Sequence, residues 1–201
     1  MNRPTLRRAA PLVVLMLAAA CGSPPEVFDA KAPDVPFVDQ INPPGRDSTY
    51  DGTENCGPAV LAGIAKGRGW TDGLQDAEVI VMLAEIAGTN QYGTTGNGMI
   101  GALQWMGMQT AANPGGDLNW IDDELAAGHD VIANGDYWSL PDHEDPGLAS
   151  GHFIAVTGVR NGWSVYEVMD PAGQSLHSLT DEELQTFIDA HPQGGYTISA
   201  W

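Results

Sequence analysis

Hydrophobic positions change their period once along this chain. Ala59-Val60-Leu61-Ala62-Gly63-Ile64 is a run of small and branched apolar residues that predicts a helix from about Cys56 to Lys66. Pro58 suits its first turn, and Gly67 and Gly69 stop it. Val79, Ile80, Leu83 and Ile86 recur at helical spacing and predict a second helix from Asp76 to Ala87, closed by Gly88. Asn97 to Met108 reads as a third, with Ile100, Leu103 and Trp105 facing inward, and Trp120 to Ala127 as a fourth, ended by Gly128. The period then shortens. Val131 to Trp138, His152 to Arg160 and Trp163 to Met169 read as strands, and Asn161-Gly162 predicts a type I′ hairpin turn between the last two. Thr180 and Glu183 have capping-box spacing and open a helix that ends near Ala190, and Tyr196 to Trp201 is a closing strand. Helices first and an antiparallel sheet afterwards predict an α+β domain of two facing lobes.

The first twenty residues follow a different logic. Arg3, Arg7 and Arg8 precede an apolar stretch, Pro11 to Ala20, that is too short to span a bilayer. This is the layout of an export signal. Three alanines then lead into Cys21-Gly22-Ser23, which resembles a bacterial lipobox with Ala18 where that pattern prefers Leu. The resemblance implies that Cys21 carries lipid and becomes the new N-terminus; the alternative is ordinary cleavage near Ala20 and a free secreted protein. Gly22 does not resemble an inner-membrane retention signal, so an outer-membrane destination is expected where the cell has one. Residues 21–36, with Pro24, Pro25, Pro33 and Pro36, read as a tether, which leaves 37–201 as one domain with one core.

Charge and cysteine usage narrow the field further. The chain holds 8 Lys/Arg against 26 Asp/Glu. Without the three arginines of the signal the net charge falls from −18 to −21. Such a surface repels nucleic acid and anionic headgroups and is compatible with cationic peptides, although a solvated acidic surface is the simpler reading. There are two cysteines. With Cys21 lipidated, Cys56 is the remaining thiol; a Cys21–Cys56 disulfide and an inert buried thiol are the competing readings.

Cys56 falls where a helix should begin, and the positive end of the helix dipole favours thiolate there. His152 opens a buried strand almost a hundred positions later. A thiol on a helix facing an imidazole on a strand is the pairing that nucleophilic thiol catalysis needs. Asp170 lies eighteen residues after His152, at the far end of the next strand. A hairpin brings those two strand ends side by side, so the carboxylate can accept from the ring and orient it. The other reading of Asp170 is a turn residue before Pro171.

The set Val35-Pro36-Phe37-Val38-Asp39-Gln40, Asn55-Cys56-Gly57-Pro58-Ala59, Gly93-Thr94-Thr95, Leu125 to Ile132 ahead of a strand, Gly151-His152-Phe153 and Met169-Asp170-Pro171 resembles the papain-like cysteine peptidases of the bacteriocin-processing, double-glycine leader type. The resemblance covers residues 35–201. It implies a papain-like two-lobed fold and a peptide or protein substrate, with small residues near the cut. It further implies Cys56 as nucleophile, His152 as base, Asp170 as orienting acid and Gln40 as oxyanion donor; a monomer with no cofactor is expected. Gln40 stands sixteen residues before Cys56, farther than the six to ten the family pattern places there, because Ile41 to Asn55 is an enlarged loop. Asn55 is the substitute donor if Gln40 does not reach.

Other residues read as ordinary structure. Asp142-His143-Glu144-Asp145 is a solvated loop rather than a cation site, and His129, His177 and His191 lack metal-ligand spacing, so no metal is expected. Tyr137, Trp138 and Trp105 read as core or cleft wall. The sequence therefore points to a membrane-tethered exported cysteine hydrolase, most directly a peptidase. The alternatives are an inactive peptidase-like binding module, and a cell-wall amidase or acyl transferase using the same thiol chemistry.

Overall fold

The structure, a computed structural model, describes residues 28–141, 143, 151–160, 162–173 and 176–201. Cys21, and with it the signal and lipidation readings, lies outside those residues, as do Asp142, Glu144, Asp145 and Asn161.

Five helices and seven strands are described, in the order β1 (Phe28–Lys31), α1 (Cys56–Gly67), α2 (Asp76–Ala87), α3 (Gly96–Trp105), β2 (Thr110–Pro114), α4 (Leu118–Ala126), β3 (Asp130–Asp136), β4 (Gly151–Arg160), β5 (Val165–Met169), β6 (Leu176–Thr180), α5 (Asp181–Asp189) and β7 (Tyr196–Ala200). A single 3₁₀ turn, Tyr137–Ser139, follows β3. The strands form one antiparallel sheet ordered β2-β7-β3-β4-β5-β6. β1 adds to β4 beyond the register where β3 stops: β3 ends its pairing at Val156, and β1 takes up Gly158 to Arg160.

The sheet separates two cores. On one face α1, α2 and α3 pack over Ile132, Phe153, Ala155, Met169 and Ile198. On the other, α4 and α5 cover Val131, Ala133, Ile154, Val156 and Val168. Every residue of α1 from Cys56 to Ala65 is buried, which is why its sequence is small and apolar all round rather than amphipathic. Full burial of a side chain such as Leu61 or Ile64 contributes about 1.5–3 kcal/mol, so this helix is held by packing far more than by propensity.

The structure departs from the sequence expectation in three places. The presumed tether is part of the domain from Phe28 onward: β1 is paired, Ala32 and Val35 are buried, and a side chain on Gly63 would meet Val35 and the Pro36 carbonyl. Trp105 does not face inward but is 62% exposed, because α3 ends there and the core positions are Met99, Ala102 and Leu103. The strand expected to continue to Trp138 stops at Asp136 and tightens into the 3₁₀ turn. In the β4–β5 connection Gly162 and Trp163 stand at positive φ, 69° and 65°. Asp29 of β1 explains this, since its Oδ2 accepts from the N–H groups of both residues at 2.7 and 3.1 Å.

Candidate active site

Cys56 is the first residue of α1, and its backbone N–H has no acceptor among the described residues, as expected for a first-turn donor. Gly57 lets the helix start approach its neighbour: a Cβ there would stand 2.8 Å from Met99 Sδ and 2.9 Å from Thr94 Oγ1. His152 is the second residue of β4 and is 1% exposed. Asp170 follows the last residue of β5 and is also buried. The antiparallel register sets Ala155 opposite Met169, so the two strand ends lie side by side, as the hairpin argument requires.

His152 Nε2 donates to Asp170 Oδ1 at 2.7 Å, which leaves Nδ1 as the ring nitrogen for the Cys56 thiol. Burial alone would push the imidazole toward its neutral form. The Asp170 charge and hydrogen bond, reinforced by the hydrogen bond and charge of Cys56, outweigh it and raise the His152 pKa. Asp170 mirrors this: burial would raise its carboxyl pKa, but His152 and the Ala172 N–H at 2.9 Å lower it. The Tyr137 ring meets the imidazole edge-on, with centroids 5.0 Å apart, and fixes its plane. Thiol, imidazole and carboxylate thus form one chain, with the charged form of each of the last two favoured by the other.

Gln40 reaches this neighbourhood despite its spacing, because the enlarged loop doubles back. Its backbone N–H donates to Pro171 O at 2.9 Å, and its own carbonyl accepts from Tyr50 Oη at 2.7 Å. Its side chain is fully buried, with Nε2 donating to Gly52 O at 2.9 Å and, more weakly, to Thr53 O at 3.4 Å. Only glycine fits at 52, where a Cβ would overlap the Gln40 carbonyl. Gln40 Oε1 has no partner among the described residues. The Asn55 amide turns into the same loop, toward Asp51 O at 3.1 Å and Tyr50 Oη at 3.4 Å. Neither amide lines the cleft.

Cys56 and His152 open on a cavity of about 370 Å³. Its walls include Glu54, the Gly93–Gly96 segment, Asn134, Phe153, His191 and Tyr196. The Tyr196 ring lies against Gly96, where a Cβ would come within 2.7 Å of it, and edge-on to Phe153 at 6.1 Å. Burial and then the nearby Cys56 raise the pKa of its phenol. The sequence reading missed Glu54, Asn134 and Tyr196 and treated His191 as an ordinary helix-end residue. Position relative to Cys56 could have flagged Glu54; Asn134 and Tyr196 converge only through the β7–β3–β4 pairing, and His191 through the turn after α5. His129 instead stacks on Trp201 and pairs with Glu124 at 2.6 Å, and His177 lies in β6. Among the described residues no cluster could hold a metal ion.

No protein-family model and no curated protein sequence matches the chain. Solved structures do. The peptidase domain of Streptococcus ComA, a bifunctional ABC transporter involved in quorum sensing, is 24% identical, with 83% of this chain and 98% of that one covered and a TM-score of 0.55. A protein described as a C39-like peptidase from Bacillus anthracis is 14% identical, with 86% and 96% covered and a TM-score of 0.59. The fold is that of a C39 peptidase domain. The shared elements span nearly all of each neighbour.

Proposed function

We propose that the protein is a cysteine hydrolase that cleaves peptide bonds through Cys56, His152 and Asp170. The observation that carries this reading is the buried imidazole held between a carboxylate at 2.7 Å and the thiol of a helix start, at the wall of an open cavity. In this mechanism the Cys56 thiolate attacks the substrate carbonyl carbon. The developing oxyanion accepts from the unpaired Cys56 N–H, and Gln40 supplies a second donor only once its amide turns away from Gly52 O and Thr53 O. Collapse breaks the C–N bond as the His152 imidazolium protonates the leaving amine. His152 then takes a proton from water, whose oxygen attacks the thioester and frees the acid and the thiol. Asp170 keeps the ring oriented and stabilises its charged form throughout.

The test is alkylation of the purified protein by iodoacetamide across pH. Cys56 should react rapidly well below pH 8, and His152→Ala should abolish that advantage. An ordinary thiol profile, indifferent to His152, would refute the hydrolase. One observation favours a binding module without turnover: the Gln40 amide points at Gly52 and Thr53 rather than at the cleft. Fast alkylation without hydrolysis of any peptide would support that second reading.

We further propose export and anchoring through lipid on Cys21, supported by the Arg-rich start, the short apolar stretch and the small residues before Cys21. Cys21→Ser should move the protein from the membrane to the aqueous fraction and remove labelling by radioactive palmitate. Unchanged partitioning would reject the anchor.

A further inference from the structure

The cleft carries a carboxylate that the hydrolytic mechanism does not use. Glu54 lies two residues before the nucleophile and lines the same cavity. Its Oε2 sits 3.5 Å from where a Cβ on Gly93 would stand, so the carboxylate forms one lip of the cleft against a turn that has no side chain of its own. Among the described residues no lysine, arginine or histidine pairs with it, and none of the described lining residues is a lysine or arginine. Partial burial, and then the Asp51 charge, raise its pKa, as expected of an acid lacking a compensating cation.

The β-sheet wall of the cavity adds a second unmatched acceptor. Asn134 is 4% exposed and donates from Nδ2 to His152 O at 3.2 Å, while its Oδ1 is buried with no partner among the described residues. A buried polar atom left without a partner carries a cost that a guest bringing N–H groups removes. A carboxylate on one wall and an amide oxygen on the other both accept; neither donates. An ammonium offers three donors and a guanidinium five. The chain's excess of 26 acids over 8 bases draws the same class of guest toward the surface.

Resting on the thiol-hydrolase reading, and in place of the small residues that the family resemblance implies near the cut, we propose that this site prefers peptides whose attacked carbonyl belongs to a lysine or arginine, with Glu54 receiving the side-chain cation and Asn134 Oδ1 accepting an N–H of the bound peptide. Glu54 stands two positions before Cys56 and lines the same cavity, so the side chain of the attacked residue is placed against it. The cavity of about 370 Å³ has room for an extended basic side chain.

The experiment measures the rate of Cys56 alkylation by four peptidyl chloromethyl ketones that differ only in the carbonyl residue: lysine, norleucine, glycine or glutamate. It needs no turnover, and each rate is divided by the iodoacetamide rate of the same protein. The lysine probe should exceed norleucine by about ten- to hundredfold, the range for a charge-assisted hydrogen bond, and glutamate should be slowest. Glu54→Gln should bring lysine and norleucine together. If that variant does not fold, N-acetyl-lysinamide should still slow iodoacetamide alkylation of the unaltered protein more than N-acetyl-norleucinamide does. Equal lysine and norleucine rates, a lysine preference that survives Glu54→Gln, a glycine probe faster than lysine, or equal protection by the two amides would overturn the proposal. With a fast, His152-dependent iodoacetamide reaction, those results remove only the basic preference. A slow reaction insensitive to His152 removes the hydrolase and the preference together.

Discussion

Asp170 and His152 hold each other charged, and this fixes the pH window of the site. The Asp170 pKa is lowered in the fold, so its contribution is complete above the ordinary carboxylate value of about 4 and is lost as pH falls through the folded value. The His152 pKa is raised, so its contribution is complete below about 6.5 and is lost as pH rises through the folded value. The pair therefore acts across the whole neutral range. Asp170→Asn removes the anion that outweighs burial, and the imidazole pKa should drop. The alkaline limb of the alkylation profile should move to lower pH, and peptide hydrolysis should fall by about a hundredfold or more. A profile that keeps its alkaline limb would show that Asp170 does not set the ring's charge. At this scale the sequence was informative where chemistry restricts residue choice. A thiol at a helix start, an imidazole at a strand start and an acid at the next strand's end follow from spacing and hairpin pairing. Gln40 was legible as a residue but not as a position, since only the fold of the loop shows it turned to Gly52, Thr53 and Pro171. Asn134 and Tyr196 gave no local signal at all, because lining a cleft depends on which strands pair.

Among the elements, those with strong local signals emerged nearly as expected. α2 runs from Asp76 to Ala87 and ends on Gly88 at φ 66°, the left-handed cap its sequence announces. α5 is set by Thr180, whose Oγ1 accepts the Glu183 N–H at 3.3 Å while Glu183 Oε2 accepts the Thr180 N–H at 2.8 Å. This helix leads directly into the His191 wall of the cleft. Thr180→Ala should cost about 1 kcal/mol and lower the melting temperature by roughly 2–4 °C, read by calorimetry. No shift would mean that tertiary packing of Leu184, Phe187 and Ile188 alone starts the helix. The strands that sequence reasoning missed are the weakly patterned ones. β1 is Phe-Asp-Ala-Lys; β2, Thr-Ala-Ala-Asn-Pro, and β6, Leu-His-Ser-Leu-Thr, are the two sheet edges, where a proline such as Pro114 is tolerated. Their pairing comes from partners elsewhere in the chain, not from alternation within themselves.

Across the whole molecule, one buried ion pair ties the helical face to the sheet. Arg68, just past α1, donates to Asp130 Oδ2 from Nε at 3.0 Å and from Nη2 at 2.6 Å. Asp130 opens β3 and is 1% exposed. Burial raises its pKa even against the Arg68 interaction, so the charge depends on its partner. Arg68→Ala should destabilise the fold by about 3 kcal/mol, the low end for an orphaned buried charge because Arg68 itself is partly exposed. Urea denaturation reads this, and pairing the change with Asp130→Asn should recover much of the loss. Full additivity of the two substitutions would deny the coupling. The joining of β1 to the far end of β4 also fixes a polarity. Phe28 pairs with Arg160, and His152 lies at the other end of the same strand, roughly 25 Å away. Whatever precedes Phe28 enters at the pole opposite the reactive groups. An attachment made at Phe28 itself therefore begins a full strand's length from the thiol and imidazole, which gives a place for a reporter without touching the groove.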